Sequence, residues 1–408
     1  MLDSARADAL RRDELADGYV RPDYGGYCFA GVPAAAASVV GADLGDGLPA
    51  DAFDGVDASA DHVLVLFLDS LGFAQFERVA GETPLLDSFV ESGRVTPLTS
   101  TYPSETAACV TTMHTGREPV EHGMLGWNGY DPDADTVYET LPYAAKDGGD
   151  LSLAPGDLFD GAPVYERLAD AGVDSHVVEP DYGPGYGDAS TVGATTHHYA
   201  GASGFALGVR DALRAADAPS YTYAYYPGID TASHHHGPES AEYDATVREV
   251  CAALETAFGA LDDATAENTV VCLVADHGQV PVDGGTELEA TGVLEHVPTD
   301  RSGTPLVLGG PRNVHLRVTD EAAARDCLAD LDALVFSRAE ALAEGLWGRG
   351  EPGGAFDRNC GDLLVVPREG ALWTGDEAGE LALAGMHGGL HPDEMLVPFG
   401  AARLTALR

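Results

Sequence analysis

The sequence is short of positive charge. Its 408 residues contain 22 Lys and Arg against 67 Asp and Glu, a formal net charge of −45 at pH 7, and Lys146 is its only lysine. Proteins bind nucleic acids and anionic membranes through basic patches, so this excess of acidic residues argues against both partners. The acidic residues are spread along the chain, which indicates a solvated surface that needs counter-ions to stay compact. We interpret the composition as adaptation to the salt-rich cytoplasm of a halophilic archaeon.

Long hydrophobic runs are also missing. No stretch approaches the 18 consecutive apolar residues that indicate a membrane-spanning helix. The opening segment, MLDSARADALRRDELADGYV, is charged throughout and lacks the apolar core of a secretory signal. The six cysteines form no C-x-x-C pair, so we expect free thiols rather than disulfides. These features predict a cytoplasmic protein without a membrane partner, and none of them predicts an oligomeric state.

Short apolar runs alternate with helical patterns along the chain. Runs rich in β-forming residues predict strands at 62–70, 174–180, 220–230 and 269–278. Apolar residues recur at helical spacing in 162–172 and 240–263. This alternation predicts an α/β fold with a mainly parallel central sheet flanked by helices. Ligands bind such sheets beyond the carboxyl ends of the strands.

The chain divides into four predicted parts. Residues 1–60 are rich in Gly, Ala and Pro and are expected to form an N-terminal arm, followed by a catalytic α/β core at 61–310. Within the core, about 128–200 is expected to be an insertion or lid. Residues 311–380 contain NVHLRVTD, EAAARDCLADL and DLLVVP, which predict strand, helix and strand in a small α/β subdomain. Residues 381–408 are expected to return to the core.

Six Asp and His side chains stand at predicted strand ends or in Gly/Pro-rich loops. Alone, each has an ordinary structural explanation, such as a helix-capping Asp or a hydrogen-bonded Asp-His pair. Together, carboxylate and imidazole ligands suit two divalent metal ions. The six residues are Asp69, Asp230, His234, Asp276, His277 and His387.

The segment TSTYPSETAACVTTMHTGREPVEHGMLGW (99–127) crowds hydroxyls at a predicted helix start. We expect the helix to open at Pro103 and Ser104, with Ser104 as N-cap, and to end at Gly116. Free N–H groups at a helix N-terminus favour anions. A hydroxyl held there by a metal ion would ionise near neutral pH. The structural alternative is that these hydroxyls only cap the helix and form turns.

Five short motifs, taken in order, resemble the alkaline phosphatase superfamily. They are FLDS, PSETAACVTTMHTGREPVEHG, GIDTASHHHGP, VADHG and MHGG. The nearest resemblance is to the type I phosphodiesterase/nucleotide pyrophosphatase branch. It spans roughly 60–280, returns near 385–399, and leaves 1–60 and about 128–200 without a motif. The resemblance implies an alkaline phosphatase-like fold.

The resemblance also implies a ligand set. Asp69, Asp276 and His277 would hold one divalent ion together with the nucleophilic hydroxyl of Thr106. Asp230, His234 and His387 would hold a second ion, which leaves His235 and His236 outside the ligand set. Zinc is the first expectation for both ions, and manganese is the alternative.

The nucleophile has two candidates. Thr106 stands where the family has its nucleophilic Thr relative to the pair Thr115-Gly116. Thr101, in TYPS, matches the family's Thr-aromatic-Pro sequence instead, and helix length favours Thr106. The family's phosphate-contacting Asn falls at Trp127, next to Asn128, so these two are the candidate substrate-binding residues.

The implied function is metal-dependent hydrolysis of a small phosphate ester by a phosphodiesterase or nucleotide pyrophosphatase. The reaction would pass through a covalent phospho-threonine intermediate. A phosphomonoesterase or phosphomutase of the same superfamily is one alternative, and a non-catalytic metal-binding protein is another. A sulfatase is disfavoured, because Cys109 lies in AACVTT rather than in a Cys-x-Pro-x-Arg context.

Overall fold

A computed structural model of the chain describes residues 1–375 and 382–408. Its helices are α1 Ser4–Arg12, α2 Val32–Val39, α3 Phe73–Val79, α4 Pro84–Ser92, α5 Thr106–Thr115, α6 Pro119–His122, α7 Val164–Asp170, α8 Tyr186–Ser190, α9 Gly201–Ala215, α10 Gly228–His236, α11 Ala241–Gly259, α12 Asp263–Glu267, α13 Glu321–Leu328, α14 Arg338–Ala343, α15 Gly354–Asn359 and α16 Pro392–Met395.

The strands form one large, mainly parallel sheet, one large antiparallel sheet and three small two-stranded ladders. They are β1 Glu14–Ala16, β2 Tyr19–Val20, β3 His62–Leu68, β4 Arg94–Thr99, β5 Asn128–Asp131, β6 Thr136–Glu139, β7 Ala144–Ala145, β8 Asp174–Pro180, β9 Thr195–Tyr199, β10 Ser220–Tyr226, β11 Thr269–Val274, β12 Val280–Pro281, β13 Thr286–Glu287, β14 Val307–Gly310, β15 Asn313–Leu316, β16 Ala333–Ser337, β17 Leu363–Pro367, β18 Leu372–Trp373, β19 Gly385–Met386 and β20 Leu396–Arg403.

The central sheet has the strand order β4-β20-β11-β3-β10-β8-β9. Among the described residues, β20 alone runs against the other strands of this sheet. The fold prediction is therefore confirmed, and the four strands predicted from apolar runs are the neighbours β11, β3, β10 and β8. Their continuous apolar sequence follows from burial on both faces, and β3 is fully buried from Val63 to Leu68.

Aromatic rings and flanking helices fill the space around this sheet. The Phe67 ring on β3 makes edge contacts with Phe29, Tyr223 and Tyr225 at centroid distances of 5.3–5.8 Å. Helix α2 packs against β3, and helix α9 packs against β8 and β10. Both helices bury an apolar face, which shields the faces of the sheet from water.

The second large sheet is antiparallel, with the order β16-β17-β15-β14-β5-β6-β7. It joins strands from the predicted insertion, 128–145, to strands from the predicted small subdomain, 313–367. Strand β8, also in the predicted insertion, lies in the central sheet. The domain boundaries stay predictions, and the boundary at 380/381 falls outside the described residues.

The N-terminal segment 1–60 packs against the central sheet, with α2 on β3 and other parts along the edge strand β4. Leu2 and Cys28 form isolated bridges with Val95 and Thr99 of β4. The cysteines are free thiols, and five of the six are buried. No helix in the ranges 1–375 and 382–408 is long and apolar enough to cross a membrane.

Two local predictions around the site are wrong. Residues 230–234 lie in helix α10 rather than in a loop, because Pro227 precedes the helix and Gly237, at φ 91°, follows it. Pro and Gly mark the ends of helices as well as turns. Ser104 does not cap α5, because its Oγ donates to the Gly389 carbonyl at 2.8 Å. Glu105 is the N-cap, and Gly116, at φ 65°, ends the helix as predicted.

A buried ion pair connects the second sheet to the C-terminal loop. Arg312, between β14 and β15, donates to both carboxylate oxygens of Glu394 at 2.5 and 2.7 Å, and both side chains are fully buried. The Glu394 carboxylate also accepts from the backbone N–H groups of Gly389 and His391. The Glu394 carbonyl accepts from the Gly278 N–H at 2.9 Å. Glu394 thus connects the loop after β11 to the loop after β19.

We predict that Arg312→Met destabilises the fold strongly. It leaves the Glu394 charge buried without its partner, which costs about 3–5 kcal/mol of unfolding free energy. Arg21→Met is the matched control, because it removes an exposed 3.2 Å pair with Glu344 and is expected to cost less than about 1 kcal/mol. Urea unfolding at constant high salt measures both. Equal small losses for the two variants would contradict the structural importance of the buried pair.

Candidate metal centre

The carboxyl ends of β3 and β11 bring three predicted ligands together. The two strands pair in parallel with Phe67 opposite Val274, so the residues that follow them meet at the same edge of the sheet. We call Asp69, Asp276 and His277 site 1. All three are buried, and His277 Nε2 lies 3.5 Å from Asp69 Oδ1 and 3.2 Å from Asp276 Oδ2. One ligand atom from each residue lies within 4.8 Å of the other two.

Each carboxylate of site 1 has one oxygen that accepts a hydrogen bond and one, which we call open, that has no hydrogen-bond partner. Asp69 Oδ2 accepts from the Tyr225 hydroxyl at 2.5 Å, and Asp276 Oδ1 accepts from the Ser70 N–H at 3.1 Å. Ser70 is held at φ 66°, a backbone strain that aims this N–H at the carboxylate. Asp69 Oδ1 and Asp276 Oδ2 are buried without a hydrogen-bond partner. Buried charges without partners are costly, so this pair of open oxygens fits a bound cation.

Helix α10 and the loop after β19 build a second group. We call Asp230, His234 and His387 site 2. Asp230 and His234 lie one helical turn apart, which places both on one face of α10, and His234 Nε2 is 3.2 Å from Asp230 Oδ2. His387 Nε2 approaches Asp230 Oδ1 to 3.7 Å. Gln279 donates to the same oxygen at 2.6 Å, which fixes the carboxylate.

All three histidines are oriented in the same way. Their Nδ1 atoms face backbone carbonyls: His277 faces Gly278 at 3.0 Å, His234 faces Gly385 at 2.8 Å and His387 faces Ser104 at 3.1 Å. These partners assign the proton to Nδ1 and leave the Nε2 lone pair directed into the site. This is the arrangement in which histidines bind metal ions.

The two sites adjoin. The His277 and His387 rings stack with centroids 3.6 Å apart and an interplanar angle of 8°. Two protonated rings could not stay that close in a buried position, and burial lowers the pKa of His277 to about 4 and that of His387 to about 3. Neutral imidazole is the form that ligates a metal ion.

Burial also affects the pKa values of the three carboxylates. Burial, followed by the charges of Asp276 and Asp230, raises the pKa of Asp69 well above its ordinary range. Burial also raises the pKa of Asp276 to about 6. Burial opposes the charge on Asp230 as well, but the neighbouring imidazoles, His234 first, lower its pKa below the usual value. A divalent cation would relieve this crowding of negative charge.

The hydroxyl next to site 1 belongs to Thr106. Thr106 opens helix α5, and its Oγ1 lies 3.1 Å from His277 Nε2. Thr101 is buried, with its Oγ1 near Cys109 Sγ at 3.2 Å and the Pro103 carbonyl at 3.3 Å. The structure thus brings the hydroxyl of Thr106, and neither that of Thr101 nor that of Ser104, to the ligand cluster.

A cavity of about 470 Å³ opens over both sites. Its walls contain five aromatic side chains of Trp and Tyr and also the carboxylates Glu105 and Glu179. Burial raises the pKa of Glu105 to about 8, and Glu105 Oε1 has no hydrogen-bond partner. Apart from the site ligands and Thr106, the lining residues are Glu105, Ala107, Val110, His114, Trp127, Leu141, Pro142, Glu179, Tyr182, Tyr186, Gly187, Tyr223, Tyr225 and Pro227.

The two predicted substrate-binding residues occupy different places. Trp127 lines the cavity and is 38% exposed. Asn128 is buried in β5, in register with Glu139 of β6, and is not among the described residues that line the cavity. His235 and His236 are exposed at the end of α10, away from both sites.

Sequence reasoning missed several polar residues of the site. Gln279 directly follows the VADHG motif, and Tyr225 lies in the predicted strand 220–230 just before Pro227, so both positions could have been singled out from the sequence. Glu105 directly precedes Thr106. Glu179 is the only charged side chain in the second half of its predicted strand. None of the four has a spacing that identifies its role.

The model of the family "Type I phosphodiesterase / nucleotide pyrophosphatase" matches residues 63–390. An uncharacterized pyrophosphatase/phosphodiesterase of Schizosaccharomyces pombe is 26% identical over 239 residues. That match covers 56% of this chain and 47% of the yeast protein, so the chain spans about half the length of this relative.

Two solved structures share the fold. Murine ectonucleotide pyrophosphatase/phosphodiesterase 5 has a TM-score of 0.63 at 16% identity, with 84% of this chain and 88% of that chain covered. Phosphonoacetate hydrolase from Sinorhizobium meliloti 1021 has a TM-score of 0.60 at 17% identity, with 85% and 94% covered. The chain therefore belongs to the type I phosphodiesterase/nucleotide pyrophosphatase family, within the alkaline phosphatase superfamily.

Proposed function

We propose that the chain is a metal-dependent phosphodiesterase or nucleotide pyrophosphatase that cleaves small phosphate esters with Thr106 as nucleophile. The observation that carries the proposal is the position of the Thr106 hydroxyl, 3.1 Å from His277 Nε2, on a residue that lines the cavity. A nucleophilic hydroxyl needs a partner that holds it and favours its ionised form. The ligand atoms of site 1 supply this partner.

Sites 1 and 2 would each hold one divalent ion. The open oxygens Asp69 Oδ1 and Asp276 Oδ2 and the three inward Nε2 atoms support this assignment. Zinc suits the mixture of carboxylate and imidazole ligands, and manganese is the alternative. When bound, the ions would neutralise the phosphate oxygens and lower the pKa of a coordinated hydroxyl.

The reaction on the chain's own residues has two steps. The Thr106 hydroxyl gives up its proton to solvent, its oxygen attacks phosphorus and the ester bond to the leaving group breaks, so that the phosphoryl group, with its remaining ester substituent, is held covalently on Thr106. The leaving alkoxide takes up a proton from solvent. Water then attacks the phospho-threonine, which restores the hydroxyl and releases the product. Throughout, the backbone carbonyls of Gly278, Gly385 and Ser104 keep the histidine rings in one orientation.

Diesters fit the cavity better than monoesters. Its described lining contains neither Arg nor Lys, so no side-chain cation grips the extra charge of a dianionic monoester. Trp127 is proposed as a contact for the organic part of the substrate, whereas Asn128 lies outside the lining and is assigned no contact. A complex of the murine relative contains AMP, and the bacterial relative's complexes contain phosphonoformate and phosphonoacetate. Small phosphorus compounds of this kind are consistent with the size of the cavity.

We also propose that the enzyme works in a salt-rich cytoplasm. The net charge of −45 supports a salt-rich cytoplasm, where counter-ions screen the acidic surface. It also supports a small-molecule substrate rather than nucleic acid, because a surface this acidic repels a polyanion.

We predict that the metal-loaded protein hydrolyses bis-p-nitrophenyl phosphate with a kcat/KM at least about tenfold above that for p-nitrophenyl phosphate, since about 1.4 kcal/mol of lost charge pairing gives that ratio. Release of p-nitrophenol in high salt measures both rates. A chelator should abolish both activities, and Zn²⁺ or Mn²⁺ should restore them. Faster monoester cleavage would favour a phosphomonoesterase, and a protein that binds metal but cleaves neither ester would favour a non-catalytic role.

We predict that Thr106→Ala lowers kcat for the diester by at least about 10³-fold, because the nucleophile is removed. The bound metal content should persist, since Asp and His residues supply the remaining ligands. Thr101→Ala is the matched control and should retain activity, because its hydroxyl contacts Cys109 and the Pro103 carbonyl rather than site 1. The reverse pattern in these two variants would transfer the nucleophilic role to Thr101.

A further inference from the structure

Strand β9 forms one edge of the central sheet. It pairs with β8 on one side, and among the described residues no further group bonds to its backbone. An unpaired row of N–H and C=O groups is a template for another strand. The sequence of β9, TTHHY, contains β-forming Thr and Tyr and no Pro. Its outer edge is therefore able to accept a further strand.

The other edges of the two large sheets are protected. The N-terminal segment covers β4, at the opposite edge of the central sheet, through bridges at Leu2 and Cys28. In the second sheet, the edge strand β7 is only 2 residues long, and the Arg325 guanidinium donates to the Val335 carbonyl of the other edge strand, β16. Native proteins protect sheet edges by such covers and by charged side chains on the strand. In the described chain, β9 has neither protection.

The surface around β9 lacks acidic residues. Residues 189–210 contain no Asp or Glu, and this is the longest such run in a chain with 67 acidic residues. The next longest runs, 24–42 and 301–319, expose three and four residues, whereas 189–210 exposes eight. We call these eight residues the β9 patch. None of them is Asp, Glu, Lys or Arg, so burial does not explain the missing charge.

The β9 patch also exposes apolar side chains. Five large apolar side chains are exposed in the described chain, and two of them, Val192 at 49% and Leu207 at 46%, belong to the patch. Leu207 lies on α9, which packs against β9, so the helix and the strand present adjoining surfaces. Burial of these side chains against a partner is favourable.

A second copy of the chain fits the β9 patch. Each copy carries a net charge of −45, so an approach through most of the surface brings like charges together. Two β9 patches that face each other bring together surfaces without acidic residues. An antiparallel pair of β9 strands has the required twofold symmetry, because the same surface meets itself. A basic partner, in contrast, would find no carboxylate within the patch.

We propose that the protein forms a twofold-symmetric dimer in which β9 pairs antiparallel with β9 of the second copy. The pair continues the central sheet across both copies and buries Val192 and Leu207. Salt screens the repulsion between the remaining acidic surfaces, so the dissociation constant of the dimer falls as the salt concentration rises. No residue of β9 or of the β9 patch is among the described residues that line the cavity, so the inference is independent of the proposed function.

Sedimentation velocity at high salt tests the dimer. The wild type should have twice the chain mass of 42.4 kDa and should dissociate on dilution. Leu207→Asp and Thr195→Asp should each raise the dissociation constant at least about tenfold, because the symmetry adds a charge to both facing surfaces. Ala322→Asp is the matched control, since it adds the same charge at an exposed position of α13, outside the patch. It should remain a dimer.

Hydrogen exchange tests where the copies meet. The backbone amides of 195–199 should exchange more slowly in the wild-type dimer than in monomeric Leu207→Asp. A wild type that stays monomeric at high salt would overturn the inference, as would a dimer that both patch variants leave intact. A dimer whose 195–199 amides exchange as fast as in the monomer would also overturn it. Protection of these amides in a monomer by neutral phosphatidylcholine vesicles would assign the patch to a membrane instead.

Discussion

The structure depends on one unfavourable feature: carboxylates gathered in a buried position. Asp69 and Asp276 follow neighbouring parallel strands, and each keeps one oxygen without a hydrogen-bond donor. Asp230 lies close enough to add its charge to theirs. Burial favours protonation of Asp69 and Asp276, and bound cations would keep both ionised. The rest of the site serves to hold these charges in place.

The supporting contacts come from backbone as much as from side chains. Three carbonyls fix the three histidines, and Gln279 and Tyr225 fix the carboxylates. The loops that carry His277 and His387 are held by Glu394, which Arg312 neutralises from the second sheet. The antiparallel sheet thereby contributes to the geometry of a site whose ligands lie outside it.

Much of the fold and the ligand cluster could be predicted from the sequence, for physical reasons. Strands buried on both faces leave continuous apolar runs, and the Asp at the end of such a run marks the binding edge. Helix α10 was mistaken for a loop, because Pro227 and Gly237 mark helix ends and turns alike. Ser104 owes its role to a partner that is distant in the chain, and no local pattern encodes such a contact.

The central claim is that the buried carboxylates and inward imidazoles hold two divalent ions. Equilibrium dialysis against Zn²⁺, followed by elemental analysis, counts the ions bound per chain. We expect two ions for the wild type and for His236→Ala, whose side chain is exposed beyond the site, and one ion for His234→Ala. A wild-type protein that binds no ion, or equal loss of metal in the two histidine variants, would contradict it.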